Sequence, residues 1–563
     1  SKGNHTFKFG GEYNHTFVDQ DFGFNRFGVF GSRISDPTLL LQSISGVLPP
    51  GNRFDTVNDQ YRIQIGNGLV NFSTNEVAFF GQDSWKIRPN FTLNYGLRWE
   101  GQFNPTPFAD NTALVNKVKD FKFPLGNFDP TQIPDATNQW APRLGFAWDP
   151  FNDGKSVLRA FSGIYYARTP ALLLAGPMNN FRAVPGDVSL LFPLFAQGNP
   201  NNTVYKQFKL IGIDLNNFPL DSLPRLTPEQ ATQIATALGL AVDPTRSANV
   251  TGVASNFKNP RAYQAGVGFE REVAQGFTLG VDFQYVHTVY LERNVDLNIP
   301  APIIRPSSVD PAGRPFYDLR NRPRPIPTLN QVQIRDSSAR SLYRALTFSS
   351  KLQRKWGQIN LFYTLSYNYS NDDNERSAGG TTYDDSFNLQ PEYNFSDLDR
   401  RHQLVANPVF FLPFGFDVAS AIRLQSGTPF NATAGADLNG DLVGGTDRPY
   451  SGPNQPFQRN QFRNLRQYRV DLRVQKHINF LENHKLTFSV EFFNLFNAMN
   501  LQYDGQQRQY CFGGNDCGFR GPTNLNFMQL REQNPTSPTL GRLLTGNTVN
   551  TPFQMQLGLR YQF

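Results

Sequence analysis

The sequence predicts an all-β chain, a transmembrane antiparallel β-barrel. Three observations carry this reading. Apolar and polar residues alternate with period two through many segments, as they do where a strand has one apolar and one wet face. The segments run about 9–12 residues, longer than the ~5–6 of a globular strand and close to the ~9–11 that a tilted strand needs to cross a bilayer. Long and short connections alternate between them, the layout of a barrel with short periplasmic turns and long extracellular loops.

In chain order the expected strands, about fifteen of them, span 4–18, 24–33, 75–87, 90–103, 141–149, 155–167, 261–273, 276–288, 342–354, 357–370, 401–412, 415–426, 466–477, 485–496 and 552–563. Phe91, Leu93, Tyr95, Leu97 and Trp99 alternate with Thr92, Asn94, Gly96, Arg98 and Glu100. Phe277 to Tyr285, Ile359 to Tyr367, Val470 to Val474, Leu486 to Phe492 and Phe553 to Phe563 repeat the pattern. Short turns are expected at 88–90, 150–154, 274–276, 355–357, 413–415 and 481–483. Long loops occupy about 34–74, 104–140, 168–260, 289–341, 371–400, 427–465 and 497–551. In one of them, Thr227-Pro-Glu-Gln230 places an N-cap Thr before Pro at the first helical position with Gln three residues on. The Ala-rich run to Leu240 then predicts a short surface helix.

Composition excludes several alternatives. The 563 residues carry 53 Lys+Arg and 46 Asp+Glu, so 53 − 46 gives +7. Aromatics are 14% and charged residues 18%, below the roughly 25% charge of a soluble domain and far from a disordered composition. Mean hydropathy is −0.45, and no apolar run of ~18 residues offers a membrane-spanning helix. Ser1 leads straight into patterned sequence, so no secretory leader is expected in this stretch. A β-propeller would repeat every ~40–50 residues, and no such repeat occurs. In a bilayer every backbone amide must be paired, so strands cross only as a closed barrel, apolar outside and polar inside with aromatics at both interfaces.

The C-terminal Leu557-Gly-Leu-Arg-Tyr-Gln-Phe563 resembles the signature read by the outer-membrane barrel-assembly machinery, which makes Tyr561 and Phe563 the candidate assembly signal. Glu491-Phe-Phe-Asn-Leu-Phe-Asn497 resembles a penultimate-strand motif of TonB-dependent receptors. Val77 to Ile87 with Leu93-Asn-Tyr-Gly-Leu-Arg-Trp99 is similar to a mid-barrel hairpin of the same superfamily. Asp399-Arg-Arg-His-Gln-Leu-Val405, Leu412-Pro-Phe-Gly415 and Ser426-Gly-Thr-Pro-Phe430 are similar to its Oar-like branch, whose members carry a carboxypeptidase-regulatory-like domain. The resemblance implies a barrel of about 22 strands, of which this chain would hold the C-terminal ~15, about seven fewer. The plug and TonB box of the family are not recognised in it. It further implies active uptake of a scarce solute driven by the TonB complex, residence in the bacterial outer membrane, and no covalent chemistry. The alternative is a structural or adhesive barrel that transports nothing.

The residues agree with a non-enzymatic reading. His5, His15, His287, His402, His477 and His484 lie on different segments, and neither a G-x-S-x-G nor a phosphate loop is present. Arg98, Glu100, Arg423, Arg469, Asp471, Arg473 and Arg560 are expected to face the lumen, as a polar path for solute or as plug contacts. The scattered basic residues form no stripe for nucleic acid and suit anionic lipopolysaccharide better. Asp437, Asn439 and Asp441, followed by Gly444 and Asp447, space oxygens as a Ca²⁺ loop does, with an Asx-rich turn as the alternative; apart from this structural Ca²⁺, no cofactor is expected. Cys511 and Cys517 are expected to form a small disulfide staple in an oxidising compartment. Loop aromatics such as Phe181, Phe192, Phe195 and Tyr205 are expected to pack a core within their own loop.

Overall fold

A computed structural model describes residues 2–21, 29–31, 60–65, 69–182, 188–193, 208–209, 211–212, 227, 230, 233, 250–306, 311–373, 383–443, 447–480, 484–512, 517, 521–544 and 547–563. Fourteen strands follow one another in chain order across one antiparallel sheet. They are β1 (His5–Asp21), β2 (Leu69–Arg88), β3 (Phe91–Phe103), β4 (Ala136–Trp148), β5 (Ser156–Tyr166), β6 (Arg261–Ala274) and β7 (Phe277–Asp296). The second half comprises β8 (Val332–Arg354), β9 (Gly357–Ser370), β10 (His402–Leu412), β11 (Phe416–Gln425), β12 (Gln467–Phe480), β13 (His484–Phe493) and β14 (Gln554–Gln562). Neighbours in sequence are neighbours in space, the up-and-down order that alternating turns and loops dictate. Among the described residues no helix is long and apolar enough to cross a membrane; the strands do the crossing.

One expected strand is absent from this sheet. The β1–β2 register runs without interruption from His5↔Trp85 to Asp21↔Leu69, so Asp21 and Leu69 end two strands that are direct neighbours in the sheet. Of the segment expected at 24–33, Val29–Gly31 pairs with Gln60–Ile65, which pairs with Val188–Pro193 in a separate three-stranded sheet; the rest of it lies outside the described residues. Among the described residues the consecutive wall strands therefore number fourteen where about fifteen were expected, and two short segments, Val250–Val253 and Asn394–Phe395, pair onto the same sheet.

The apolar face points outward. Leu557, Leu559 and Tyr561 of β14 are 69%, 66% and 50% exposed. Their cross-strand partners Val490, Phe488 and Leu486 continue the same face on β13. Aromatic stacks mark both rims of this surface. Phe480, His484, Tyr561 and Phe563 stack in series at the short-turn end. Phe79 with Trp99, and Tyr369 with Phe395, stack toward the loops. Such girdles sit where lipid meets water. Two tight turns use backbone that glycine tolerates: Gly276 and Gly415 have φ of +61° and +74°. A Cβ at either would meet a backbone carbonyl of the neighbouring strand at 2.6 and 2.7 Å.

The loop side is longer and better packed than the pattern alone implies. β7 and β8 run 20 and 23 residues, well beyond the ~9–11 needed for the bilayer. Around their upper ends three loops share a core of Leu114, Val118, Phe128, Phe181, Val250, Leu297 and Leu329, among others. A helix, α1 (Thr112–Lys119), contributes buried Leu114, Val115 and Val118, with Asn111 capping it through the Leu114 amide at 3.1 Å. A second core, formed by the loops after β11 and β13, collects Phe430, Phe457, Tyr503, Tyr510 and Phe527.

Candidate functional site

The candidate site is the inner wall of the sheet together with the loop layer above it. The register puts Arg98, Glu100, Arg423, Arg469, Asp471, Arg473 and Arg560 on the face opposite the lipid-facing residues, in two groups. In the first, Arg98 on β3 binds Glu100 on its own strand and reaches Glu12 on β1 at 2.9 Å. Arg168 approaches Glu76 at 3.4 Å. A small recess of about 50 Å³ opens here, lined by Glu12, Glu76, Arg98, Glu100, Gln102 and Arg168.

In the second group Arg469 Nε donates to both Asp471 oxygens at 2.9 Å, and Arg473 pairs with Glu491. Arg423 stands directly opposite Arg469 in the β11–β12 register. Since Asp471 neutralises Arg469, Arg423 has no ion-pair partner among the described residues, and neither has Arg560. Between the groups Lys351–Glu270 at 3.1 Å and Arg159–Asp282 at 3.6 Å continue the charged lining. These pairs are half-exposed, so each contributes little to stability; their effect is to make the wall wettable.

Sequence reasoning missed what joins the wall to the loops. Buried Gln102 accepts from the Thr169 amide at 3.0 Å and from Asn259 Nδ2 at 2.8 Å, and donates to the Thr169 carbonyl at 3.1 Å. A single carboxamide thereby ties β3 to both ends of the loop between β5 and β6. The sequence carried no signal of this, since Gln102 falls in phase with Arg98 and Glu100 as one more polar residue of its strand.

The Asp437–Asp447 loop is a chain of turns. Asp437 accepts from the amides of Gly440 and Leu442, Asn439 from Asp441, and Asp441 from Val443. Asp447 accepts from Leu438 and from Asn439 at 3.0 Å. The oxygens expected to face Ca²⁺ thus serve as acceptors for backbone N–H groups, the Asx-turn arrangement. Among the described residues no three His, Cys, Asp or Glu side chains converge to hold a metal ion. Burial, then backbone amides and the neighbouring Asp437, set the Asp441 carboxyl, whose pKa is pushed up to about 7. Burial and the nearby Asp384 and Asp441 push Asp447 up to about 8. Next to them buried Arg448 donates to Asp384 at 2.8 Å and to Glu392 at 3.1 Å. Burial opposes its charge, but the two carboxylates outweigh burial and raise its pKa. By contrast, the fully buried Arg293 faces the Tyr383 ring, 5.6 Å away, and among the described residues its guanidinium has no hydrogen-bond partner.

Cys511 and Cys517 are joined in a disulfide with Cα atoms 5.2 Å apart, both fully buried in the second loop core. Thr227 and Gln230 form the expected reciprocal cap, at 2.8 and 3.3 Å; most of the helix expected to follow lies outside the described residues. Phe181 is fully buried in the first loop core. Phe195, Tyr205 and the Phe192 side chain fall outside the described residues.

Residues 1–458 match the family model described as an outer membrane beta barrel domain. The chain belongs to this outer-membrane β-barrel family. A 111-residue stretch is 32% identical to the TonB-dependent transporter Oar of Myxococcus xanthus, covering 20% of this chain and 8% of that protein. Among solved structures, the outer membrane transporter YddB from Escherichia coli is similar over 89% of this chain and 49% of its own, at 12% identity and TM-score 0.47. The ferric enterobactin receptor PfeA from Pseudomonas aeruginosa is similar over 88% and 46%, at 9% identity and TM-score 0.41. The barrel chain thus spans about half the length of these solved structures and a small part of Oar. The family places it in the bacterial outer membrane, and these relatives are transporters and receptors, not enzymes.

Proposed function

We propose that this chain supplies the wall and extracellular loops of an importer that takes up a scarce solute by TonB-coupled active transport. The observation that supports it most is the inner wall, charged and wettable from Glu12 on β1 to Arg560 on β14 and topped by folded loops. In this reading the loops capture solute and the wall solvates it on its way in. Arg423 and Arg560, which no neighbouring carboxylate neutralises, face the plug or the solute. The plug and TonB box, expected in the same protein, transmit the pull of the energised inner membrane. Tyr561 and Phe563 serve the assembly machinery, and the aromatic rims seat the wall in lipid and lipopolysaccharide.

The test is uptake by cells carrying the intact gene, its deletion, or the gene with Arg423→Glu and Arg560→Glu. Labelled peptides, saccharides and iron chelates are offered with and without a protonophore. Accumulation that needs the gene and collapses with the protonophore supports import. Gene-dependent surface binding with no accumulation of any solute would sink it and favour an adhesive barrel.

A further inference from the structure

A second recess lies on the loop layer. It opens between the segment 388–395 and the hairpin that pairs Tyr450–Gly452 with Gln455–Pro456, with a volume of about 640 Å³. Seven of its eleven lining residues are Asn or Gln, and among the described residues no Asp, Glu, Lys or Arg lines it. Asn388, Gln390, Gln455, Gln458 and Gln461 are exposed, and half-buried Phe395 adds a ring to the lining.

The missing charge results from how these segments are threaded. Along the lining, outward amides and prolines alternate with inward ions. Pro391 lines the recess while Glu392, the next residue, is buried against Arg448. Gln458 lines it while Arg459 turns inward to Asp373 at 2.5 Å. The ions are satisfied behind the surface, and carboxamides, a serine, prolines and the Phe395 ring remain in front. A carboxamide carries two N–H donors and a carbonyl acceptor on one plane. That set matches groups that both donate and accept at neighbouring positions, as vicinal hydroxyls do. It offers nothing to a phosphate, a carboxylate or a metal chelate, which require charge-assisted partners.

We propose that this recess is a binding site for a neutral saccharide. Phe395 is paired in register with Tyr369, and Tyr369 belongs to the lipid-facing series of β9, so the recess rises from the outer rim of the barrel just above the membrane. A sugar there comes either from the core of neighbouring lipopolysaccharide or from a soluble glycan. The site is independent of transport and of any plug.

The full chain in detergent is titrated calorimetrically with two probes: neutral core oligosaccharide freed of lipid A and phosphate, and maltoheptaose as a soluble glycan. The parent protein is expected to bind at least one, with a Kd below about 1 mM. Gln458→Ala combined with Gln461→Ala is expected to weaken that binding by roughly tenfold or more, which corresponds to about 1.4 kcal/mol, with unfolding temperature little changed, because both side chains are exposed and the bond lost is the exposed one from the Gln458 amide to Gln461 Oε1. Preference for the core probe assigns the membrane source, and preference for maltoheptaose the soluble one. Absence of heat with both probes at about 10 mM, well above the Kd range expected here, overturns the proposal. So does equal binding by parent and double variant, or binding of an uncharged Ala/Ser peptide with no response to either sugar.

Discussion

Along β7 the surroundings change within one strand. From Phe277 to Tyr290 its residues are half-exposed or exposed, whereas Leu291 to Asp296 are buried without exception. The lower stretch belongs to the wall, where one face meets lipid and the other water. The upper stretch belongs to the loop layer, where protein covers both faces. In the wall large apolar side chains such as Phe9 and Leu557 stay exposed and the strand ladder supplies the cohesion. In the loop layer cohesion comes from buried side chains, a disulfide and compensated ions. Low burial in this protein therefore marks the membrane surface, and its protein core lies in the loops.

The largest expected effect probes the buried ions of the loop layer. Arg448→Met leaves Asp384 and Glu392 facing each other without a cation and is expected to cost about 3–5 kcal/mol. Thermal unfolding in detergent reads this; a loss below about 1 kcal/mol would mean that the network is dispensable. The wall is tested by Leu559→Arg, expected to cost about 2–4 kcal/mol in a bilayer if that position lies near midplane. Folding yield into vesicles is the readout, and a yield equal to wild type would break the contrast with the loops.

Cys511→Ser with Cys517→Ser removes a cross-link between residues six apart and is expected to lower loop stability by about 2 kcal/mol. Limited proteolysis of the last loop measures it, with the heat-stable mobility of the barrel as the unchanged reference. A smaller effect is tied to pH. Asp441 and Asp447 have folded pKa values near 7 and 8, above the ordinary 3.8. Protonation therefore favours the folded loop: the stability they add is full below about pH 4 and is lost as pH rises through 7 to 8. Asp447→Asn keeps an acceptor for the Leu438 and Asn439 amides and removes one titration. It is expected to raise loop stability above pH 8 by on the order of 1–2 kcal/mol and to flatten the slope. A slope identical to wild type would assign the titration elsewhere. Smallest of all is Arg293→Met. With a ring for company, this cation is expected to be replaced at a cost under about 1 kcal/mol, or with a gain, in the same unfolding assay as Arg448→Met.

The wall was legible because a single rule writes it. Where lipid and water face each other across one layer, every second residue reports its side, and the pattern located the fourteen strands and their turns. Of the segment 24–33 only Val29–Gly31 falls among the described residues; it is a strand, but it pairs in a separate sheet, because β1 already pairs with β2 along its whole length. The pattern understated β7 and β8, because Leu291-Glu-Arg-Asn-Val-Asp296 has no alternation to display once both faces are covered. α1 escaped notice although Asn111, Leu114, Val115 and Val118 carried its cap and its buried side. The inward direction of Arg98 was readable from parity, but its pairing with Glu12, 86 positions away, was not. The same holds for Arg448, whose partners lie 64 and 56 residues distant. Contacts of that kind are set by where loops meet, and no local periodicity encodes them.

The length of β8 bears on who can reach this protein from outside the cell. Its 23 residues extend about 76 Å at roughly 3.3 Å each. Even leaning at about 45°, they rise some 54 Å against a hydrocarbon layer near 30 Å. The β7–β8 pair thus carries the loop layer well above the hydrocarbon, and because Leu291–Asp296 and Val332–Arg335 are buried, what an antibody or a phage would touch is the set of loops packed around it.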